Sequence, residues 1–207
     1  MAFVICVSLL KGGVGKTTTS VALAEAAAAG GAVARLVDAD PMGSAVRWAE
    51  LARGAGRPMR ADTIGVPAAD IPRRMSQISR GADVVVFDAP PPGQGAAQIV
   101  QGVMDVSDVV VMPTPPELAA LDRVIATSQA ARGRRLVAVL TMVRAGLPER
   151  DLAIAQLNKW NVPVARAELS FTVAVERAYG SAVQTGPLAW FGIDLMRELI
   201  EGIQDHA

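Results

Sequence analysis

The chain has 207 residues, about half of them apolar, and its 20 basic side chains balance its 20 acidic ones. That composition excludes disordered and low-complexity classes, and zero net charge excludes a globally basic nucleic-acid binder, though not a local basic patch. A sole cysteine, Cys6, excludes a disulfide framework and a cysteine-ligated zinc or iron–sulfur site within one chain, so a reducing cytoplasm is expected.

From Met1 to Leu10 there is no basic leader region and no small-residue cleavage site. A strand is predicted at the apolar run Phe3–Leu9, followed by a helix at Lys16–Ala29. Val33–Val37 predicts a second strand and Ser44–Arg53 a second helix. The apolar-rich stretch from Val21 to Val37 is broken by Glu25, Gly30, Gly31 and Arg35, too often to span a bilayer. Residues 54–68, rich in Gly and Pro, read as a surface excursion holding a short strand at Met59–Ile64. Next come a helix at Ala69–Arg80, a strand at Val84–Phe87, a helix at Ala96–Val106 and a strand at Val109–Met112. A helix at Glu117–Arg132, a strand at Leu136–Leu140 and helices at Glu149–Trp160 and Ala189–Gln204 complete the chain. Valine-rich runs that are apolar on both faces suit a parallel sheet covered by helices on both sides. The expected fold is α/β: one doubly wound, mostly parallel sheet flanked by helices, forming a single domain over residues 1–207.

Ligands in such sheets bind beyond the carboxyl ends of the strands. Those segments are Leu10–Lys16, Asp38–Gly43, Asp88–Gly95, Pro113–Glu117 and Thr141–Gly146. In the first, the backbone of Gly12, Gly13, Val14 and Gly15 can curl so that N–H groups converge on phosphate oxygens, and the following helix adds its positive end. Lys16 would neutralise the β- and γ-phosphates, and the Thr17 hydroxyl would ligate Mg²⁺. The chain has three lysines against seventeen arginines, and Lys11 and Lys16 both fall in this loop. A compact ammonium fits against phosphate where a planar guanidinium does not. The loop departs from the ordinary phosphate-loop pattern, which wants glycine where Leu10 stands.

The segment Leu10-Lys11-Gly12-Gly13-Val14-Gly15-Lys16-Thr17-Thr18 resembles the deviant Walker A motif of the ParA/MinD family of ATPases. Val37–Ala45, containing Asp38-Ala39-Asp40-Pro41, resembles that family's second motif, with Met42 in place of the usual glutamine. Val84–Pro91 resembles its Walker B strand. The short length is similar to small plasmid-type ParA proteins, ParF among them, with no N-terminal helix-turn-helix extension expected. The resemblance implies that ATP and Mg²⁺ are the cofactors. It implies that the backbone from Gly12 to Thr18 and the Lys16 amine hold the phosphates, and that Lys11 reaches the nucleotide of a partner subunit across an ATP-dependent homodimer. It further implies that Asp40 positions the attacking water, that Thr17, Asp38 and Asp88 stand near Mg²⁺, and that Pro113 and Pro115 border the adenine. Read from residue type alone, Asp38 or Asp40 serves equally as a helix N-cap or turn residue, Asp88 as a turn residue, and Pro113–Pro116 as a stiff loop leaving a strand.

The expected activity is therefore slow Mg²⁺-dependent ATP hydrolysis, coupled to dimerisation or to a higher polymer. The first function implied is plasmid or chromosome segregation with a ParB-like centromere-binding partner and non-specific DNA, hence a nucleoid association. Arg73, Arg74, Arg123, Arg132, Arg134 and Arg135 are the candidate DNA contacts, each read equally well as a solvated helix end. The alternatives are a ParA-like ATPase positioning a protein cargo, or a filament-forming scaffold timed by hydrolysis. The tail from Phe191 is amphipathic but acidic on its polar face, so no membrane partner is expected. His206 reads as solvated.

Overall fold

The computed structural model describes residues 1–131 and 133–204; Arg132 and His206 lie outside the described residues. Within it the apolar runs form seven parallel strands: β1 (Phe3–Val7), β2 (Ala34–Asp38), β3 (Asp62–Gly65), β4 (Val84–Asp88), β5 (Val109–Thr114), β6 (Arg135–Val143) and β7 (Val164–Ser170). Across the sheet they lie in the order β3-β2-β4-β1-β5-β6-β7. The connecting helices are α1 (Lys16–Ala29), α2 (Ser44–Gly54), α3 (Ile71–Ile78), α4 (Ala96–Val106), α5 (Leu118–Ala130), α6 (Glu149–Lys159), α7 (Val173–Glu176) and α8 (Pro187–Gln204).

Side chains alternate across each strand, so β1 feeds two cores at once. Ile5 and Val7 join Leu36, Val86, Val111 and Val139 beneath α1 and α8, against Leu23, Leu195 and Leu199. Val4 and Cys6 join Val85, Phe87, Val110 and Leu140 beneath α4, α5 and α6, against Val103, Val124 and Leu157. Each of the larger side chains contributes about 1.5–3 kcal/mol by leaving water. Cys6 is one of these core groups, and burial pushes its thiol far above the ordinary range, which makes it unreactive.

One expected strand is shifted and one strand is unexpected. The short strand expected at Met59–Ile64 lies at Asp62–Gly65, where β3 pairs in register with β2 as the sheet's edge, and Arg35 Nε donates to Asp62 Oδ2 at 2.9 Å. Its entry is fastened by buried Glu25 of α1, whose Oε1 accepts from the Ala61 N–H at 2.9 Å. β7 is a strand where none is expected, because its inward residues Ala165, Ala167 and Leu169 alternate with outward Arg166 and Glu168. That period of two, with charges outward, is how an edge strand reads, and a search for continuous apolar runs passes over it.

Two of the candidate DNA contacts are structural. Arg134 donates to the carbonyls of Asp105 and Ser107 at the end of α4, and Arg135 Nη1 donates to the Leu199 carbonyl of α8 at 2.8 Å. Both guanidinium groups tie helix ends to β6.

α8 lies directly on α1, and Gly192 makes the crossing. A Cβ at Gly192 would collide with the Ala22 carbonyl, a backbone group that cannot swing aside. Overpacking of this kind costs about 1–3 kcal/mol. Gly192→Ala is expected to lower the urea midpoint by a corresponding amount without altering the denaturant slope, as equilibrium unfolding would measure.

Candidate functional site

After Val7 the chain leaves the sheet and coils over the ends of β1 and β5. The Ser8 N–H donates to the Val111 carbonyl at 3.0 Å, and the Leu10 N–H to Thr127 Oγ1 of α5 at 3.2 Å. Gly13 and Gly15 then take φ of 70° and 87°, a left-handed backbone that disfavours any side chain. No side chain caps α1 at Gly15, so the first N–H groups of that helix stay open to a ligand. Thr141 of β6 supports the loop from behind, donating to the Val14 carbonyl at 3.0 Å.

Lys16 is buried, 8% exposed, and its Nζ donates to the Lys11 carbonyl at 2.9 Å. Burial lowers its pKa, opposed by the charges of Asp88 and Asp40. Thr17 Oγ1 donates to Asp88 Oδ2 at 2.7 Å, and Ser20 Oγ lies 3.1 Å from Asp88 Oδ1. Asp88 ends β4 beside Asp38 at the end of β2. Its carboxyl is pushed up to about 7, chiefly by burial; the nearby Asp38 adds to this, while Thr17, Ser20 and Lys16 oppose it. A buried carboxyl with a hydroxyl on each side, its charge only partly offset by Lys16, is the environment a hard divalent ion would complete. Thr17 and Asp88 supply oxygen donors of the kind Mg²⁺ takes, and among the described residues no group of three or more His, Cys, Asp or Glu could hold a metal. The arrangement thus fits a cation held mainly by phosphate and water.

Asp38 faces the other way. Its oxygens accept the N–H groups of Asp40 at 3.1 Å, Ala45 at 2.8 Å and Val46 at 3.0 Å, so it caps the first turn of α2 from a distance. The N-cap alternative describes its contacts in this structure; burial raises its pKa and the three donors oppose that. Asp40 stands at the cleft wall, its Oδ1 accepting the Met42 N–H at 3.0 Å in a tight turn, while Met42 itself is exposed.

The loop from Gly12 to Thr18, with Asp40, opens on a cleft of about 430 Å³. Its far wall holds residues that the sequence does not single out. The Trp48 and Tyr179 rings meet edge to face with centroids 5.1 Å apart, and Trp48 Nε1 donates to the Ser181 carbonyl at 2.8 Å. Met142, in an irregular stretch of β6, has a φ of 55° and borders this cleft and an adjoining apolar cavity of about 250 Å³ that Phe171 and Tyr179 also line. Strain of this kind at a non-glycine residue gathers where a ligand is met. Pro113 is buried inside β5, past Val111 where the β1 pairing stops, which is where a central strand tolerates proline. Pro115 instead borders a separate cavity of about 270 Å³ with Arg144 and Phe171. Lys11 turns its amine onto Glu117 Oε2 at 2.8 Å.

Asp88 gives the site a pH signature. Its folded pKa lies above the ordinary carboxylate value, so the stabilising contribution is complete below about pH 4 and lost as pH climbs through about 7. Above that, the wild type carries an ionised buried carboxylate that asparagine would remove. Without nucleotide, Asp88→Asn is expected to exceed the wild type in stability by on the order of 2–4 kcal/mol at about pH 8, a difference vanishing near pH 4. Urea titrations at the two pH values measure it.

Comparison with known proteins places this geometry. The model for the CobQ/CobB/MinD/ParA nucleotide-binding domain matches residues 5–185. Maintenance of carboxysome distribution protein A of Gloeobacter kilaueensis is 37% identical over 175 residues, covering 81% of this chain and 76% of that protein. The MinC:MinD cell division complex of Aquifex aeolicus shares the fold with a TM-score of 0.77 at 18% identity, over 97% of this chain and 96% of that one. So does cobyrinic acid a,c-diamide synthase of Mycobacterium smegmatis with bound ATP analogue and magnesium, with a TM-score of 0.75 at 17% identity over 100% and 97%.

Proposed function

The chain belongs to the CobQ/CobB/MinD/ParA nucleotide-binding domain family, and from that we propose that it is an ATP- and Mg²⁺-dependent hydrolase that positions a protein cargo by cycling between monomer and ATP-bound homodimer. The observation that carries the choice of cargo is the 37% identity, over 81% of the chain, to a carboxysome distribution protein. The motifs by themselves point first to plasmid segregation with a ParB-like partner. Both functions use those motifs equally, and the relative favours the cargo.

In this reading the Lys16 amine leaves the Lys11 carbonyl for phosphate oxygens, and the open N–H groups from Gly12 to Thr18 close around the same anion. Thr17 and Asp88 would hold Mg²⁺, which when bound neutralises charge on the β- and γ-phosphates. Asp40 orients water on the cleft wall. Asp38 holds the turn that presents it. Lys11 acts across the dimer. Phosphoryl transfer asks mainly for charge neutralisation and an aligned nucleophile, so no strong base is needed. The ATP-bound dimer would bind the nucleoid through Arg73, Arg74 and Arg123, with Arg74 already paired to Asp70 at 2.9 Å. No helix among the described residues is long and apolar enough to cross a membrane.

The purified chain should turn over ATP with Mg²⁺ and no carboxylic acid or amine co-substrate; strict dependence on one would make it a ligase instead. Deleting the gene in its host separates the remaining readings. Clustered protein bodies with plasmids retained support the cargo, and plasmid loss with protein bodies evenly spread supports segregation.

A further inference from the structure

We propose that Glu117 is a positioning residue that latches Lys11 to its own subunit and thereby sets the threshold for dimerisation. The inference rests on the cross-subunit role proposed for Lys11. Glu117 is the N-cap residue of α5, where an acid would ordinarily turn toward the free N–H groups of the first helical turn. It makes no side-chain cap. Its carboxylate reaches instead to Lys11 Nζ, with Oε2 at 2.8 Å. Its backbone is set by Pro115 and Pro116 before it and by its own carbonyl, which accepts from Ala120 and Leu121 at 2.9 and 3.0 Å. α5 is tied to the same loop a second time by Thr127 and the Leu10 N–H.

An amine held in this way cannot serve a neighbouring molecule. Each protomer must release Lys11 before the dimer closes, so two ion pairs open per dimer formed. The side chains are 29% and 61% exposed, which makes each pair weak. An exposed pair of this class shifts an equilibrium by roughly 1.5- to 5-fold, and two acting together by roughly 2- to 25-fold. A latch of that size biases the equilibrium toward the monomer and is weak enough for nucleotide to override.

Sedimentation velocity of the full chain with Mg²⁺ and a non-hydrolysable ATP analogue tests the proposal. Glu117→Gln should lower the dimer dissociation constant by roughly 2- to 25-fold, while nucleotide affinity measured on dilute monomer stays at the wild-type value. Glu117→Asp, which restores the charge, should move the constant back toward wild type. Unchanged or weaker dimerisation of Glu117→Gln, with its urea midpoint preserved, would overturn the latch. Lys11→Ala separates the latch from the role it rests on. If it dimerises and hydrolyses like the wild type, the role of Lys11 falls and the latch with it. If it is defective while Glu117→Gln is indifferent, only the latch falls.

Discussion

Lys16→Ala loses ATP binding by about 10²–10⁴-fold, as isothermal titration with Mg²⁺ and nucleotide would record. Lys16 is 8% exposed and its amine is desolvated, so its attraction for phosphate is poorly screened by water. Charge-assisted hydrogen bonds contribute about 1.5–3 kcal/mol each, and two of them at a triphosphate account for the expected loss. The fold should survive the change. Burial already disfavours the ammonium, and the hydrogen bond it makes to the Lys11 carbonyl is a single contact to a loop backbone. Binding can therefore fail while the urea midpoint holds. Lys16→Arg should not restore binding, because a planar guanidinium cannot replace a point charge where Thr17, Asp88 and the glycine backbone crowd around it. Wild-type affinity in Lys16→Ala would mean that this loop does not hold the phosphates.

Lys11→Ala behaves oppositely: it binds nucleotide within a few-fold of wild type and hydrolyses it ~10³-fold or more slowly, the scale on which a cationic finger acts. Binding is retained because the Lys11 amine points to Glu117 rather than into the cleft, and because the Lys11 group that Lys16 engages is a backbone carbonyl that alanine keeps. A phosphate-release assay at saturating ATP, paired with the binding isotherm, reads the split. Hydrolysis within tenfold of wild type would remove the cross-subunit role.

Much of the fold is legible in the residues alone. Runs such as Val84–Phe87 are apolar on both faces and admit few placements other than a covered parallel strand, and the glycine loop follows the first of them directly. β7 escapes such a reading because five of its seven residues are charged or small, and its strand character comes from pairing with β6 across the intervening helix α6. The aromatic wall is hidden for a related reason. Nothing local marks Trp48 and Tyr179 as partners; the packing of the segment before α8 onto α2 makes them so, with Gly180 needed where a Cβ would stand 2.9 Å from Leu51. Asp38 shows a different limit. Its place at a strand end suits a metal neighbour and a helix cap equally, and only the direction of three N–H groups separates the two. Arg134 and Arg135 read as free charge because sequence does not show which carbonyls lie within reach.

The three donors gathered by Asp38 have a thermodynamic consequence for its neighbour. They fasten the turn on both sides of Asp40, so the carboxylate proposed to orient water is presented on backbone that has already lost its conformational freedom as the chain folds. Ligand arrival need not freeze that loop, and the entropy of arranging it was surrendered once, when the chain folded.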